Sequence, residues 1–441
     1  MLLNHLREKV ARVPLDGRGM RGRSAITGGL HAVIVEHVPG SLRVTARGES
    51  SGEATLHRSI ASRRPSLAYV LLAGVVGALI WLRWGGIRKG IWIDLDVYIR
   101  GAAAVMHHQS LHGVDLQGQL FTYPPFAALF FVPLELLGNV DARWVLTAAS
   151  IGCYVVVINV CARRLGMNRA TATMVGFAGL TFEPFARTIL LGQINLVLLA
   201  LVVIDCLVVP VRHRGMLIGV AAGIKLVPGA FILFLILKRE WGAVGRAVAV
   251  FAVTVAVGSV IAPRDSWQFW SGGFIKLSRF GPDAVIRGDN QSLTGALMRL
   301  SHELSPPAAI TLLLSLGAMT LGLVAAKRQI GAGNDVNGLV CIGFASLLAS
   351  PVSWTHHWVW AVLALMVLVQ DRRRAAAAVL GAVFVIGPMW LTPRGQFLEL
   401  RHNWWQATAC VSYVLVGLVF LIFFALKLPT SHRARVRPGS V

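Results

Sequence analysis

Residues 223–229 read Gly-Ile-Lys-Leu-Val-Pro-Gly, and the reading of this stretch sets the topology of the whole chain. It lies at the centre of an apolar run, 215–237, of membrane-spanning length. The run opens after Arg214 and closes at Lys238-Arg239. Basic residues flank membrane segments on the cytoplasmic side, so both ends of the run belong on that side. A lysine inside such a run costs about 2.5–3.5 kcal/mol unless it is paired or hydrated. The run therefore reads as two half-helices that turn back at a tip carrying Lys225 to the outer side, as broken helices do where they line a polar cavity. A single kinked helix with a snorkelling lysine is the competing reading, and it would invert every span downstream.

Upstream of the tip, a span near 190–210 ends inside at Arg212 and Arg214, and one near 170–182 leads out to Glu183-Pro184-Phe185-Ala186-Arg187. Arg163, Arg164 and Arg169 mark an inside loop. Residues 125–162 make one net crossing but are too long for a single helix, so 125–137 reads as a half-membrane or tilted piece. The loop 84–124 is outside and follows a first span at 67–83. Downstream, spans at 244–262, 306–326, 336–350, 357–371, 375–391 and 405–427 alternate. Their inside turns fall at Lys327-Arg328 and Arg372-Arg373-Arg374.

On this reading every polar cluster converges on the outer face. The clusters are Asp94 and Asp96, Tyr123-Pro124-Pro125, Glu183 with Arg187, Gln193 and Asn195, Lys225, Asp289-Asn290-Gln291-Ser292, and His356-His357. The convergence follows from loop charge alone and points to one extracytoplasmic site.

Composition agrees with a polytopic helical membrane protein. The 441 residues are 55% hydrophobic and 14% charged, where soluble proteins are nearer about a quarter charged. The formal charge of +22 sits in short loops and tails, as the positive-inside rule requires, so nucleic acid is not the expected partner. Cys153, Cys161, Cys206, Cys341 and Cys410 fall in or beside apolar runs with no ligand spacing and read as small hydrophobes. Residues 1–66 are rich in Arg, Gly and Ser, lack a sustained apolar period and hold no signal-peptide core; they read as a disordered, basic cytoplasmic segment. The membrane domain then runs 67–427, and 428–441 is a second basic cytoplasmic tail.

The chemistry is bounded by what is present. No nucleotide-binding phosphate loop appears, which argues against ATP-driven transport. There is no serine nucleophile elbow and no HExxH. His356 and His357 are adjacent, so they do not share a helix face and make a poor metal pair. An outward pocket with cations and a carboxylate suits group transfer from a lipid-linked phosphate. Lys and Arg would hold the phosphate, and a carboxylate would take the proton of an acceptor hydroxyl while the sugar leaves through an oxocarbenium-like state. Asp94 and Asp96 are two apart and face different ways on a helix, which favours a single base; the bland alternative is that both cap the helix beginning near Val97.

The motifs Asp94-Leu-x-Val-Tyr98, Phe121-Thr-Tyr-Pro-Pro-Phe126, Gly192-Gln-Ile-Asn195, Gly223-Ile-Lys-Leu-Val-Pro228, Asn290-Gln-Ser-Leu293 and Ser350-Pro-Val-Ser-Trp354 occur in order over 67–427. As a set they resemble glycosyltransferase family 87, the polyprenyl-phosphate-mannose-dependent α-(1→2) mannosyltransferases of mycobacteria and relatives. The resemblance implies an all-α polytopic C-type glycosyltransferase fold of roughly 10–12 transmembrane helices with a catalytic first outer loop. It implies Asp94 as base, with Asp96 at the looser x position. Donor and acceptor binding would involve Asp96, Tyr98, Tyr123, Arg187, Gln193, Asn195, Lys225, Asn290, Gln291, His356 and His357. No cofactor and no metal are expected.

The implied donor is polyprenyl-phosphate-mannose. The acceptor is a mannose hydroxyl of a cell-envelope glycolipid, either a phosphatidylinositol mannoside or a lipomannan or lipoarabinomannan. The enzyme would be a multi-pass plasma-membrane protein in contact with membrane lipid, with its site on the outer, periplasmic face. An arabinofuranosyltransferase of similar fold and a lipid or sugar transporter are the rivals. A transporter would be expected to show paired broken helices, and only one broken segment is evident.

Overall fold

The computed structural model describes residues 90–111, 120–276, 280 and 283–426, together with four strands between residues 23 and 56. The expected first span at 67–83 and the tail from 427 onward lie outside the described residues. The chain divides into two compact units, Met1–Leu72 and Ala73–Val441.

In the first unit, β1 (Arg23–Thr27), β2 (Ala32–Val38), β3 (Ser41–Arg47) and β4 (Thr55–Leu56) pair antiparallel in sequence order. The β2–β3 register runs from Ala32↔Arg47 to Val38↔Ser41. The sequence reading expected no regular structure here. The runs that pair carry Val33, Ile34, Val35, Val44 and Thr45, β-branched residues suited to a ladder, although they are too short to stand out from the polar background.

Among its described residues the second unit is helical. Helix α1 is Ile93–Met106, α2 Pro125–Phe130, α3 Val132–Leu165, α4 Arg169–Leu180, α5 Glu183–Leu191 and α6 Asn195–Leu207. Then come α7 Met216–Ile224, a 3-10 turn Val227–Phe231, α8 Ile232–Leu237, α9 Trp241–Ile261 and α10 Pro263–Trp270. The chain continues with α11 Leu293–Ser301, α12 Ala308–Gly331, α13 Asp335–Ala349, a 3-10 segment Thr355–Trp360, α14 Ala361–Gln370 and α15 Arg374–Ile386. Helices α16 (Trp404–Cys410) and α17 (Ser412–Leu426) close the described part. Among the described residues α3, α9 and α12 are each long and apolar enough to cross a membrane. The pairs α4–α5 and α16–α17 add two broken spans, bent by 58° and 66°. The protein is thus an all-α polytopic membrane protein over this unit.

The expected break at 223–229 is present. Lys225 leaves the helix with extended backbone, φ −149° and ψ 130°, between α7 and the 3-10 turn. The two arms return to one level: Arg214, before α7, donates to Glu240, after α8, at 2.6 Å. Gly215, Gly219 and Gly223 lie against Ala243, Ala247 and Thr254, respectively, so α7 runs parallel to α9, and the intervening α8 carries the chain back. This is a hairpin, and the spacing of the three glycines is what permits it: a Cβ at any of them would collide with the backbone or side chains of α9. The buried Asp205 carboxylate caps the start of α7, accepting from Gly215 N and Ile218 N at 2.8 Å each.

One expected break is present and one bend is unexpected. Within 125–162 the piece 125–137 is set off from the rest at Gly138, with φ 75°. The last span, expected as one helix over 405–427, instead breaks at Val411. The reason is remote in sequence: the buried Gln291 amide donates to Cys410 O at 2.7 Å and accepts from Tyr413 N at 3.1 Å, taking up the backbone groups the bend releases.

The residues predicted to lie inside do gather at one end of the helices. Arg164 bonds Leu207 O and Arg328 bonds Ala425 O. Lys238 pairs with Asp335 at 2.8 Å, and Arg373 lies over the Phe423 ring at 5.2 Å.

Candidate active site

At the opposite end Asp94 stands in the first turn of α1, half-buried. Its position is fixed by the tight passage between α5 and α6. Trp92 N donates to Leu190 O at 3.1 Å. Gly192, with φ +69°, lets this turn approach so closely that a Cβ there would press on the Leu95 side chain. No other residue suits that position, since it demands both a left-handed backbone and the absence of a side chain. The approach sets Asp94 beside the Gln193 amide.

One turn along α1, Tyr98 is fully buried, its ring stacked on Phe131 with centroids 4.0 Å apart. Its hydroxyl donates to Gln193 Oε1 at 2.8 Å and lies 3.2 Å from the Tyr123 hydroxyl. With its oxygen held by Tyr98, Gln193 is left to present its NH₂ to Asp94. Burial pushes the Asp94 carboxyl up to about 6, against the lowering effects of the Gln193 hydrogen bond, Lys225 and Arg187.

Lys225 projects from the hairpin tip into the same place. Its Nζ donates to Asn195 Oδ1 at 3.1 Å and lies 2.9 Å from His357 Nε2, and it stands 5.5 Å from the centroid of the Tyr123 ring. An ammonium has only protons to give, so His357 accepts through Nε2 and carries its own proton on Nδ1. A groove with a cavity volume of about 40 Å³ opens at this point. Its polar end is Asn195, Lys225 and His357, and its walls are apolar, among them Leu198, Leu199, Val202, Phe231 and Leu347.

The His pair sits on a clamped backbone. His356 O accepts from Asn195 Nδ2 at 2.9 Å and from Thr188 Oγ1 at 3.3 Å. Thr355 N donates to Asp289 O, and Thr355 Oγ1 donates to Glu183 Oε1 at 2.8 Å. The two imidazoles meet edge to face, 4.7 Å apart. His356 is buried, and neither of its ring nitrogens has a hydrogen-bond partner among the described residues.

Glu183 anchors a second cluster. It accepts from Thr355, from Trp390 Nε1 at 2.9 Å and from the Tyr413 hydroxyl at 3.0 Å. Arg187 lies over the Trp390 ring at 4.8 Å, with its nearest carboxylates at 3.9 Å (Glu183) and 3.8 Å (Asp289).

Of the residues singled out in the sequence, Asp94, Tyr98, Tyr123, Gln193, Asn195, Lys225, His356 and His357 come together, with Arg187 beside them. Asp96 is not part of this group; its N–H donates to Trp92 O at 2.9 Å, and its side chain makes no hydrogen bond or ion pair among the described residues. Asn290 and Gln291 are fully buried and spend their amides on backbone. Asn290 bonds Val285 O, Pro351 O, Ser292 N and Ser353 N. Gln291 bonds Gly288 O and both sides of the break at Val411. They hold the segment leading to His356-His357 rather than facing the groove. Trp390, Tyr413 and Thr355 were missed, because nothing in their local sequence signals a bond to a glutamate some two hundred residues away.

This constellation of a half-buried carboxylate, a lysine at a broken-helix tip and a groove with one polar end suits transfer from a lipid phosphate, and comparison with known proteins agrees. The model of Glycosyltransferase family 87 matches residues 121–351. A polyprenol-phosphate-mannose-dependent alpha-(1-2)-phosphatidylinositol mannoside mannosyltransferase of Mycobacterium tuberculosis is 32% identical over 389 residues, 81% of this chain and 89% of that protein. A polyprenol-phosphate-mannose-dependent alpha-(1-2)-phosphatidylinositol pentamannoside mannosyltransferase of Mycolicibacterium smegmatis is 31% identical over 410 residues, 88% of this chain and 96% of its own length. No solved structure matches. The match runs from the Tyr123 motif through the hairpin to the strip before the His pair, and with relatives that align over most of their length it establishes that the chain belongs to glycosyltransferase family 87.

Proposed function

We propose that this glycosyltransferase moves mannose from polyprenyl-phosphate-mannose to the 2-hydroxyl of a mannose on a phosphatidylinositol mannoside or a larger glycolipid built on it, on the outer face of the plasma membrane. The observation that carries the reading is the lining of the groove: apolar along its walls and polar only at Lys225, Asn195 and His357, it suits the phosphate end of a prenyl lipid. Asp94 takes the proton of the acceptor hydroxyl. The hydroxyl oxygen attacks the anomeric carbon, the bond from that carbon to the phosphate oxygen breaks, and polyprenyl phosphate leaves with the electron pair. A β-linked donor then gives an α-linked product by inversion, as one base and direct displacement require.

Lys225 holds the phosphate charge, as a compact ammonium does at a lipid phosphate. His356, buried with two unspent ring nitrogens, is placed to bond either the phosphate or the acceptor. Tyr98 and Gln193 keep the Asp94 carboxylate oriented. The outer-face assignment rests on the basic residues collected at the other end of the helices. The membrane domain runs 67–427, and the segment before it takes no part in the chemistry.

The test is transfer by the purified protein from radiolabelled polyprenyl-phosphate-mannose to phosphatidylinositol mannosides of defined length, with the product linkage determined. Formation of an α-(1→2) mannoside is expected. Transfer only from a polyprenyl-phosphate-arabinose donor, or no transfer from either, would refute the reading.

A further inference from the structure

Half-buried Arg187 differs from exposed Arg287 and buried Arg299, the other arginines near the site. Arg287 closes on Asp289 with two bonds, at 3.1 and 2.9 Å. Arg299, fully buried, donates to Ile286 O, Arg287 O and Asn290 O. The Arg187 side chain makes no hydrogen bond among the described residues: its Nε is buried and unpartnered, and its two carboxylate neighbours stand off at 3.9 and 3.8 Å.

The neighbours are also held back from closing. Glu183 already accepts from three neutral donors, Thr355, Trp390 and Tyr413. Asp289 is gripped by the Arg287 fork. Trp390 fixes the guanidinium plane from one side, and Trp390 itself is fixed through its indole N–H on Glu183. The charge of Arg187 is therefore balanced while its donors are kept free, and such a fork matches two oxygens of a phosphate. Its chain neighbour Thr188 donates to His356 O, and His356 packs on His357 beside Lys225, which places Arg187 next to the site rather than on a remote surface.

We propose that Arg187 is a preformed phosphate clamp and that Arg287, without touching the ligand, is a positioning residue that keeps Asp289 from filling it. The inference rests on the function proposed above. Two phosphates fit the chemistry: the phosphate of the lipid-linked donor, and the phosphodiester of an inositol glycolipid acceptor.

The experiment measures binding, without turnover, of polyprenyl phosphate and of a phosphatidylinositol mannoside to the full-length protein in nanodiscs. Arg187→Gln should weaken one of the two by about tenfold or more, of the order set by loss of a charge-assisted fork, and the ligand that weakens identifies the source. Arg187→Lys should restore only part of the affinity, because the charge returns without the fork. Arg287→Gln should weaken the same ligand several-fold by releasing Asp289 onto Arg187, and it remains informative if Arg187→Gln does not fold. Unchanged affinity for both ligands in Arg187→Gln, or in Arg287→Gln where the first variant fails to fold, overturns the proposal. A wild-type protein that transfers no mannose would instead overturn the function proposed above, and the binding test would still stand.

Discussion

The two ends of the helical unit carry comparable charges and spend them in opposite ways. At the end with the basic loops, Arg214 meets Glu240 at 2.6 Å, Lys238 meets Asp335 at 2.8 Å, and Arg164 and Arg328 cap carbonyls of neighbouring helices. At the other end, Asp94 has no cation within ion-pair distance among the described residues. There Lys225 leans on the neutral Asn195 and His357, Arg187 stands 3.8 Å or more from its carboxylates, and the His356 ring makes no hydrogen bond among the described residues. Satisfied charge holds helices together; buried charge and imidazole left unsatisfied at a cost are the mark of a site awaiting a ligand.

The sharpest way to break this contrast is the same conservative change at both ends. Asp94→Asn should insert and fold normally and lose roughly a hundredfold or more in turnover, the size of lost base catalysis. Glu240→Gln should do the reverse, lowering the melting temperature by about a few degrees while each folded molecule works normally. Near-normal transfer by purified Asp94→Asn would remove the base assignment and shift attention to Asp96.

Lys225→Ala comes next. It should raise the apparent donor KM by about tenfold or more, as expected when a charged hydrogen-bond donor to phosphate is lost. A cysteine at 225 should react with an impermeant thiol reagent from outside the cell, and labelling only from the cytoplasm would overturn the sidedness.

The His pair sharpens the comparison within one cluster. His356→Ala removes a ring that makes no hydrogen bond among the described residues, so a fall in transfer of about tenfold reports on a ligand rather than on folding. His357→Ala should act through Lys225 and move donor KM more than turnover. If neither variant alters rate or donor affinity, the pair only anchors the chain at the interface with Trp354 and Trp358, and the clamp is built from Lys225 and arginines.

The smallest effect is expected at the amino terminus. A protein beginning near Ser59 keeps Arg63 and Arg64 as the inside flank of the first span. Transfer per folded molecule should stay within about twofold of full length, under half a kcal/mol in barrier. A correctly inserted, stable and inactive truncation would assign the strands of the first unit a part in catalysis.

Much of this was legible where one local signal decided the outcome. Continuous apolar runs between basic loops gave Trp241–Ile261 and Ala308–Gly331 within a few residues. A lysine beside Pro228 gave the hairpin, because a charge and a breaker at the centre of such a run admit few structures. The bend at Val411 was not legible, since the apolar pattern runs through it unbroken and the group that permits it, Gln291, lies on another element. The same holds for Asn290 and Gln291 themselves: their motif was visible, but whether an amide faces a ligand or a carbonyl is settled by folding. Glu183 stood out as an acid between spans, whereas its donors Thr355, Trp390 and Tyr413 come from three distant segments.

The most direct test of the account is the pH profile of mannosyl transfer. Asp94 must be ionised to accept a proton, and burial raises its carboxyl to about 6. Turnover should therefore be full well above that pH and fall as the pH drops through about 6, by tenfold for each further unit. The residual activity of Asp94→Asn should lack this limb. Gln193→Leu, which removes a hydrogen bond that favours the carboxylate, should move it upward. A wild-type rate that stays flat down to pH 5, or an acid limb that survives unchanged in Asp94→Asn, would contradict the assignment of Asp94 as the base.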